Sequence, residues 1–585
     1  MNQAARWALV VGAAGALGVA GGCGGGGTST AGTGTAGKQG GKLTVLSAGD
    51  IDYLDPGQTY YSFGYMVSYA VNRTLYGITP SDPVNAVPDL ADGPPVISPD
   101  NKTITVKIKK GIKYAPPVNR EVTAADFKYA FERAFSKNVP SAYAGLYFAS
   151  VAGAPAAQSG PITPISGIQA PDDSTLVITL TDPSAPLVVQ ALVMPITTPV
   201  PKEYASKYDA SVPSTYDQYV AFTGPYMVKN DANGKVARVP GKSITIVRNP
   251  NWDKATDYRP AYLDEILVQE GNDDLATAAR RALSGTASFC CDSGAPPAEV
   301  LKEALTRQKE QVLRVATGTD RFLALNTTVA PLDNLNIRKA IIAAIDRTAL
   351  RLTRGGEVLG PIASGWIPPG LPGFDEAGGL QQNTDLDFLK SPTGDPAVAR
   401  KYMDAAAADG LPVKDGKWTG TDKILTVAAN ADPAKKTAAN LQSQLEALGF
   451  KLNLRLVPPD ALSTKFCGVP AQKIAICFVA FGKDFGDPQT VLTPLFDGKS
   501  IVPQGNVNDS QLNVPAINDA MAAATKLPPG PARSKAWADI NHQIAEQAPA
   551  IPYLWDDYIA VASKDVQGVM NTQSTSLDLT YTSIK

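Results

Sequence analysis

Hydrophobic and polar positions alternate in several short segments along the chain. The segments "KLTVLSA", "TITVKIKKGIKY", "TLVITL" and "SITIVRN" begin at Lys42, Thr103, Thr175 and Ser243. Side chains that alternate between apolar and polar are typical of a strand with one buried face. A continuous apolar run, "IAICFVA" at residues 474–480, predicts a strand that is buried on both faces.

Other segments carry apolar residues at helical spacing. Thr123 and Asp126 form a T-x-x-D start, a weaker version of the capping box. One apolar stripe follows it, made of Phe127, Ala130, Phe131, Ala134 and Phe135. Further helices are predicted at "RKAIIAAIDRTAL", "DPAVARKYMDAAAA" and "KTAANLQSQLEALGF", the last ending at the cap residue Gly449. The pattern as a whole predicts a mixed α/β protein.

One hairpin is predicted at "YMVKNDANGKVARV", residues 226–239, because Asn233-Gly234 is a favoured turn pair between strands. In the helix "RKAIIAAIDRTAL", the isoleucine and alanine stripe predicts a core face. Arg338 and Arg347 in this segment are expected to form structural salt bridges rather than ligand contacts.

The composition is that of a large globular protein. The 585 residues are 44% hydrophobic and 18% charged, enough material for roughly three to four domains. The 53 basic residues nearly balance the 55 acidic ones. A formal charge of −2, without a basic cluster interleaved with aromatic residues, excludes nucleic acid as an expected partner.

Most catalytic templates fail on this sequence. The only histidine, His542, cannot supply a multi-histidine metal site, and its helical segment predicts a surface or capping role. Gly-Lys-Ser at Gly241 and at Gly498 lacks the earlier glycine of a phosphate loop. A pair of glycosidase carboxylates stays open, but no pair is marked. We therefore expect no enzyme activity, no cofactor and no metal site.

The N-terminus predicts export. Residues 1–22 contain one early cation, Arg6, and a short apolar run, as in a signal peptide. The segment "VAGGC" resembles a bacterial lipoprotein cleavage site, which would make Cys23 the lipidated residue. Residues 23–41 predict a flexible Gly/Ser/Thr tether. The alternative is an ordinary secreted protein in which Cys23 is incidental.

Four cysteines remain after Cys23, namely Cys290, Cys291, Cys467 and Cys477. An even number in an exported chain suggests disulfides, with three possible connectivities. Cys467 and Cys477 could close the loop before the apolar strand. The adjacent pair would need a bridge between neighbours or separate partners.

A series of segments, taken in order, resembles the extracellular solute-binding proteins of the peptide, dipeptide and nickel ABC transporter family (family 5). They are "YLDPGQ", "VPDLAD", "SPDNKTITVKIKKGIKY", "REVTAADFKYAFERA", "FTGPYMV", "RNPNWD", "ALSG", "FLALNTTVAPLDNLNIRKAIIAAIDR", "GWIPPGLPG", "LQSQLEALGFKLNL", "FGKDFGDPQTVLTPLF" and "QAPAIPYL". These segments run from about residue 42 to about residue 570. The likeness is therefore to nearly the whole chain after the tether.

The resemblance implies a ligand site at "FGKDFGDP", residues 481–488. In peptide-binding members, the aspartate that matches Asp484 pairs with the α-amino group of the ligand. Phe481 stands where the family usually has Trp, next to Gly482, and both would border the ligand. Lys483 either weakens this contact or points away, and we expect Asp487 to start a turn with Pro488. By the same matching, the ligand would meet a second segment, composed of Tyr60, Tyr61 and Ser62.

The resemblance also implies the fold, which is the α/β, two-lobed periplasmic-binding-protein-like architecture of type II with an additional domain and a ligand cleft between the lobes. The expected divisions are a discontinuous lobe I (residues 42–79, 200–320 and 550–585), the additional domain (80–199) and lobe II (321–549).

The implied function is that of a substrate-binding lipoprotein of the oligopeptide-binding type. It would capture oligopeptides or dipeptides by lobe closure and deliver them to an ABC permease and its ATPase. The expected form is a monomer anchored by lipid on the outer face of the bacterial cytoplasmic membrane, or a periplasmic or extracellular protein. Two alternatives remain, namely a non-peptide ligand such as a metallophore, an opine or a glycan, and a surface receptor without transport.

Overall fold

The strands lie in one large sheet and several small ones. The computed structural model describes residues 37–585 except 61, 81, 157, 292–294, 431, 459–460, 504, 569 and 572–575. In chain order the strands are β1 Lys42–Leu46, β2 Tyr76–Thr79, β3 Asp82–Pro88, β4 Val96–Ile97, β5 Thr103–Lys107, β6 Ile168–Asp172, β7 Thr175–Thr179, β8 Tyr226–Val228, β9 Arg238–Val239, β10 Ser243–Arg248, β11 Glu265–Gln269, β12 Ser288–Cys290, β13 Val312–Leu325, β14 Val413–Lys414, β15 Lys417–Trp418, β16 Lys423–Ala429, β17 Lys451–Val457, β18 Ile476–Phe481, β19 Ala550–Ala562, β20 Val566–Gln567, β21 Met570–Asn571, β22 Ser576–Leu577 and β23 Ser583–Ile584.

The helices alternate with these strands. They are α1 Ser62–Val71, α2 Ala124–Ala134, α3 Ala142–Tyr147, α4 Ala185–Ala191, α5 Lys202–Asp209, α6 Leu275–Ser284, α7 Ala298–Arg307, α8 Leu335–Ala344, α9 Arg347–Arg354, α10 Asp387–Lys390, α11 Pro396–Ala408, α12 Ala434–Ala447, α13 Gln489–Phe496, α14 Pro515–Thr525 and α15 Pro531–Glu546.

The main sheet has 11 strands, in the order β17-β16-β18-β13-β19-β12-β1-β11-β10-β8, with β9 added beside β10. Its two longest strands, β13 and β19, are antiparallel to each other and lie in the middle of this order. The register between them shifts between Val315 and Thr319. On one side β19 also pairs with β12, and on the other β13 pairs with β18. These two strands therefore connect the two halves of the sheet.

The hydrophobic cores follow this division. Successive residues of β13 enter different cores, with Leu323 and Leu325 in one, and Phe322 and Ala324 in another. This is the period-2 alternation of a strand that is covered on both faces. A separate four-stranded sheet, β4-β5-β7-β6, packs with α2, α3 and α4 in a core of its own that also includes Phe485.

The predicted apolar stripe of α2 is confirmed, since all five of its side chains are buried, namely Phe127, Ala130, Phe131, Ala134 and Phe135. The Asp126 carboxylate accepts a hydrogen bond of 2.9 Å from the Thr123 amide, as a capping box requires. Gly449 has a φ of +90°, which few other residues adopt, and it follows α12 as predicted.

One sequence expectation is confirmed and another needs correction. The hairpin at 226–239 is present, because Asn230 and Val236 form an antiparallel bridge and the Ala237 amide donates to the Lys229 carbonyl at 2.6 Å. Both arms, β8 and β9, also pair with β10. The predicted helix 338–350 is two helices, α8 and α9. Asp346 lies between them and accepts a hydrogen bond of 2.9 Å from the Ala349 amide, which caps α9.

The expected salt bridges of Arg338 and Arg347 are wrong in kind. Arg338 donates to backbone carbonyls, including that of Leu332 at 2.7 Å. Arg347 donates to the carbonyls of Ala363 at 2.8 Å and Leu389 at 2.6 Å. Both arginines therefore hold loops in place through their fork of N–H groups rather than through a carboxylate.

Candidate functional site

The candidate site begins where β18 ends. Phe481, the last residue of β18, lies opposite Asp320 of β13, and the chain then leaves the sheet through Gly482. Phe481 and Gly482 are half-buried. Asp484 follows at 8% exposure. An acid is thus held in an enclosed position just beyond the edge of a core strand.

A tyrosine from a distant part of the chain covers Asp484. The hydroxyl of Tyr147, the last residue of α3, donates a hydrogen bond to Asp484 Oδ2. The Tyr147 ring also meets the Phe485 ring edge-on, with 5.0 Å between centroids. The end of β18 therefore packs against the four-stranded sheet and its helices through these rings.

The aromatic contacts continue from Tyr147 toward the second predicted segment. Tyr143 stacks with Tyr147 at 6.1 Å between centroids, and Tyr60 lies 5.4 Å from Tyr143. Tyr60 is thus brought into one aromatic cluster with the cover of Asp484. Tyr61 lies outside the described residues, and Ser62 begins α1.

Tyr143 and Tyr147 were missed by the sequence reasoning. A signal was present, because they stand four residues apart in "SAYAGLY" and share one face of a helix. The pattern gave no indication of what that face would meet, since Asp484 is 337 residues from Tyr147.

The electrostatics of the site are set by burial. Burial raises the pKa of Asp484 to about 7, and the hydrogen bond from Tyr147 acts in the opposite direction. Burial and the charge of Asp484 hold the pKa values of Tyr143 and Tyr147 well above their usual range. The tyrosines therefore remain protonated donors, while Asp484 titrates near neutral pH. Burial also lowers the pKa of Lys483, which is half-buried.

The loop before Tyr60 is fastened by carboxylates. Asp52 accepts a hydrogen bond of 2.9 Å from the Thr59 hydroxyl and another from the Tyr60 amide. Asp55 receives two bonds from the Arg133 guanidinium, at 2.7 and 2.8 Å. Arg133 in turn binds Asp209 at 2.6 Å. This buried network fixes the position of the loop that presents Tyr60.

Asp487 has a structural role. Its oxygens accept from the Arg533 guanidinium at 2.7 and 2.9 Å, and Oδ1 accepts from the Gln489 amide at 2.9 Å. The latter bond satisfies a free amide at the start of α13. Asp484 and Asp487, three residues apart, therefore have different partners.

The cysteines after the tether lie in two pairs. Cys467 and Cys477 are joined, with 6.0 Å between their Cα atoms, so the loop between them is tied to β18. Cys290 and Cys291 are joined to each other at the end of β12. Cys23 lies outside the described residues.

The described part of the chain has neither a cluster of metal-ligating side chains nor a helix that could cross a membrane. No group of three or more His, Cys, Asp or Glu side chains there could hold a metal ion. His542 lies on α15, 3.1 Å from the amide oxygen of Asn383. Of the helices in the described residues, none has the length and apolarity to cross a bilayer.

Comparisons with known proteins agree on one family. The model of the middle region of the bacterial extracellular solute-binding proteins, family 5, matches residues 85–501. A dipeptide-binding protein of Lactococcus lactis is 26% identical over 443 residues, which cover 74% of this chain and 74% of that protein.

Solved structures match over more of the chain. The clavulanic acid biosynthesis oligopeptide binding protein 2 has a TM-score of 0.78 at 23% identity, over 94% of this chain and 96% of its own. The periplasmic binding protein DppA of Helicobacter pylori, in complex with the peptide STSA, has a TM-score of 0.74 at 19% identity. The match covers 92% of this chain and 98% of that protein. The expected two-lobed α/β fold is thereby confirmed. Because the family model covers more than half of the chain, this protein belongs to the bacterial extracellular solute-binding proteins of family 5.

Proposed function

We propose that this protein is the substrate-binding subunit of an ABC importer and that it captures oligopeptides or dipeptides between its lobes. The observation that carries the proposal is the state of Asp484. This carboxylate is 8% exposed, its pKa is raised to about 7, and a tyrosine hydroxyl covers it. An ammonium placed against this carboxylate would stabilise its charged form.

The α-amino group of a peptide is a suitable cation. Burial of a carboxylate is costly unless an opposite charge and hydrogen bonds compensate it. Every unmodified peptide carries one α-ammonium, so a contact with this group does not depend on sequence. An extended peptide can also form main-chain hydrogen bonds at a strand edge, and Asp484 stands three residues beyond the end of β18.

We also propose ligand contacts for the residues near Asp484. The ring of Tyr60 belongs to the aromatic cluster that reaches Tyr147, which supports a place for it at the ligand. Phe481 ends β18, Gly482 follows it, and both are half-buried. We include Tyr61 and Ser62 because they are the residues next to Tyr60.

Lobe closure would use the two long strands. We propose the divisions expected from the sequence, with lobe I formed by residues 42–79, 200–320 and 550–585, lobe II by 321–549, and an additional domain at 80–199. The register between β13 and β19 shifts between Val315 and Thr319, close to the proposed boundary between lobe I and lobe II at residues 320–321. This position supports a hinge there. The closed monomer would then deliver its ligand to a membrane permease and ATPase without any reaction on the substrate.

We further propose that residues 1–22 are a signal peptide and that Cys23 carries the lipid anchor. The full chain expressed in a bacterial host should appear in the membrane fraction. The Cys23→Ser variant cannot carry the lipid, so it should be absent from the membrane fraction. An unchanged distribution in the variant would contradict the anchor but not the peptide site.

The peptide proposal is tested by native mass spectrometry of the soluble form that starts after Cys23. We expect a series of bound peptide masses that disappears in Asp484→Ala. Asp539→Ala is the control, since this aspartate lies on the surface of α15, in an ion pair with Lys535. A single non-peptide mass that persists in Asp484→Ala would overturn both the substrate and the role of Asp484.

A further inference from the structure

The segment that carries Asp484 runs from the end of β18 to the start of α13, residues 482–488. Some of its hydrogen bonds stay within the segment and the first turn of α13. The Thr490 hydroxyl donates to the carbonyls of Asp487 at 2.8 Å and Phe485 at 3.3 Å. These bonds give the segment its shape, but they do not fix where it lies relative to the rest of the protein.

One arginine links the end of this segment to a distant helix. Arg533 lies in the first turn of α15, and its side chain is 5% exposed. Its Nε donates to Asp487 Oδ2 at 2.7 Å, and its Nη2 donates to Oδ1 at 2.9 Å. Nη2 also donates to the side-chain oxygen of Gln489 at 3.0 Å. The guanidinium therefore binds both the segment and the first residue of α13.

The same guanidinium binds the end of α14. Its Nη1 donates to the carbonyls of Ala524 at 2.8 Å, Thr525 at 3.1 Å and Leu527 at 3.0 Å. The last carbonyls of a helix have no partner within the helix, so these bonds satisfy groups that need a donor. All three nitrogens of Arg533 are thus used at once, which the planar fork of an arginine allows and a lysine does not. The position of Asp487 is thereby tied to two helices.

The contacts on the other side of the segment come from a different part of the chain. Tyr147, which covers Asp484, belongs to the proposed additional domain, and the core that includes Phe485 is formed largely by that domain. Arg533 belongs to the proposed lobe II, as Asp484 does. Opening of the lobes would therefore separate Asp484 from Tyr147 but leave the bonds of Arg533 in place.

We propose that Arg533 is a positioning residue for ligand recognition. Through Asp487 it holds Asp484 in the place where the ligand ammonium binds, before the lobes close. This role rests on the proposed peptide-binding function. A binding group must be held within about 0.5 Å of its productive position, and such preorganisation lowers the cost of binding. Arg533 thereby sets how strongly the protein prefers a ligand with a free α-amino group.

The test is isothermal titration with one matched ligand pair, tetra-alanine and propionyl-tri-alanine. The second ligand has the same chain and lacks only the α-amino group. We expect the natural protein to bind tetra-alanine at least about tenfold more tightly, because a buried carboxylate without its partner is costly. In Arg533→Met this preference should fall to within about threefold. Arg533→Lys should keep part of it, because lysine retains the charge but not the fork of donors.

Arg347→Met is the matched control. Arg347 is also buried and donates to backbone carbonyls, namely those of Ala363 and Leu389. The loss of either arginine should lower stability, but only the loss of Arg533 should lower the preference for the free amine. A purely structural role of Arg533 would reduce the folded fraction and leave the ratio of the two affinities unchanged.

A double variant shows whether Arg533 acts through Asp484. Asp484→Asn alone should abolish the preference for the free amine. Arg533→Met added to Asp484→Asn should then change the affinity for tetra-alanine by less than about twofold, because the positioned group is already absent. Two losses that simply multiply would overturn the positioning role.

The outcomes separate the positioning role from the proposed function. If the natural protein binds both ligands equally, the ammonium contact and the positioning role are both wrong. If the natural protein discriminates and Arg533→Met discriminates equally, only the positioning role is wrong. If Arg533→Met does not fold, Arg533→Lys and Asp487→Asn replace it, and full discrimination in both overturns the proposal.

A measurement without peptide tests the positioning alone. Asp484 in its enclosed position makes stability depend on pH, so Asp484→Asn should raise the urea midpoint more at pH 8 than at pH 4. In the Arg533→Met background this difference should fall by at least about half, because a displaced Asp484 meets water. An unchanged difference would overturn the positioning role whether or not a peptide binds.

Discussion

The hydroxyl of Tyr147 donates a hydrogen bond to the carboxylate of Asp484, although 337 residues separate them in the chain. This contact joins α3 to the end of β18. α3 packs in the core of the four-stranded sheet, whereas the residues of β18 pack in two cores of the main sheet. Phe485, four residues beyond β18, reaches the core of α3. A neutral donor compensates only part of the cost of burying a carboxylate, and the pKa of Asp484 therefore stays raised, at about 7.

The first prediction concerns binding. Asp484→Asn should weaken binding of tetra-alanine by at least about 30-fold, since the loss of one partner of a buried charge pair costs about 2–5 kcal/mol. Isothermal titration at pH 7.5 measures the change. Asp539→Asn, a surface substitution on α15, should bind like the natural protein. A less than threefold effect of Asp484→Asn would refute the ammonium contact.

The second prediction concerns pH and affinity. The ammonium contact needs an ionised Asp484, whose pKa is about 7 before binding. Peptide affinity should therefore fall as the pH is lowered from 8 to 5.5, approaching tenfold per pH unit below about 7. The α-amino group, with an ordinary pKa of about 7.7–8.0, stays protonated over the lower part of this range and cannot cause the fall. A flat profile of affinity against pH would contradict the role given to Asp484.

The third prediction concerns stability without added peptide. The pKa of Asp484 is raised from 3.8 to about 7 in the folded protein, so the folded state keeps its proton while the unfolded state loses it. The contribution of Asp484 to stability therefore falls as the pH rises from about 4 to about 7. Asp484→Asn should raise the free energy of unfolding by about 2–4 kcal/mol at pH 8 and change it little at pH 4. Urea denaturation at both pH values measures this, and equal effects at the two would count against it.

The fourth prediction concerns the Tyr147 hydroxyl. Tyr147→Phe removes a donor that lowers the pKa of Asp484, so this pKa should rise further. Tetra-alanine should then bind about 3–10-fold more weakly than to the natural protein at pH 7. The ratio should be smaller at pH 9, where Asp484 is ionised in either protein and deprotonation of the α-amino group weakens binding to both equally. Tyr402→Phe is a matched control, because that hydroxyl bonds to Asp387 at 2.7 Å elsewhere in the protein. A loss of equal size at both pH values would mean that Tyr147 acts through packing instead.

The fifth prediction concerns the network that holds the loop before Tyr60. Arg133 is buried between Asp55 and Asp209, so Arg133→Met leaves two buried carboxylates without their cation. The free energy of unfolding should drop by about 3–5 kcal/mol. Arg307→Met should cost under about 1 kcal/mol, because Arg307 is 74% exposed and its ion pair with Glu303 lies on the surface. Similar costs for the two variants, measured by urea denaturation, would show that the network does not stabilise the fold.

Local order was largely predictable, because it depends on spacing within short segments. The α2 stripe and the Gly449 cap follow from periodicity and from the φ value that a glycine allows. The errors arose where neighbours outside the segment decided the outcome. Arg338 and Arg347 bind loop carbonyls that no local pattern could indicate.

The candidate site divides in the same way. The sequence predicted a ligand contact for Asp484 through its motif and expected a turn at Asp487. The Arg533 partner of Asp487 and the aromatic cover of Asp484 come from elsewhere in the chain. Arg321 of β13 and Arg354 of α9 carry no motif, and their common ion pair with Asp556 is visible only in the structure.

By itself, the sequence determined the elements, the family and the acid at the end of β18, since periodicity and ordered motifs are properties of neighbouring residues. The tertiary structure alone decided how strongly that acid is buried, which tyrosine covers it and where two arginines converge. The physical reason is that desolvation and charge pairing depend on distance in space. Residues separated by hundreds of positions set both, and a linear pattern does not record that proximity.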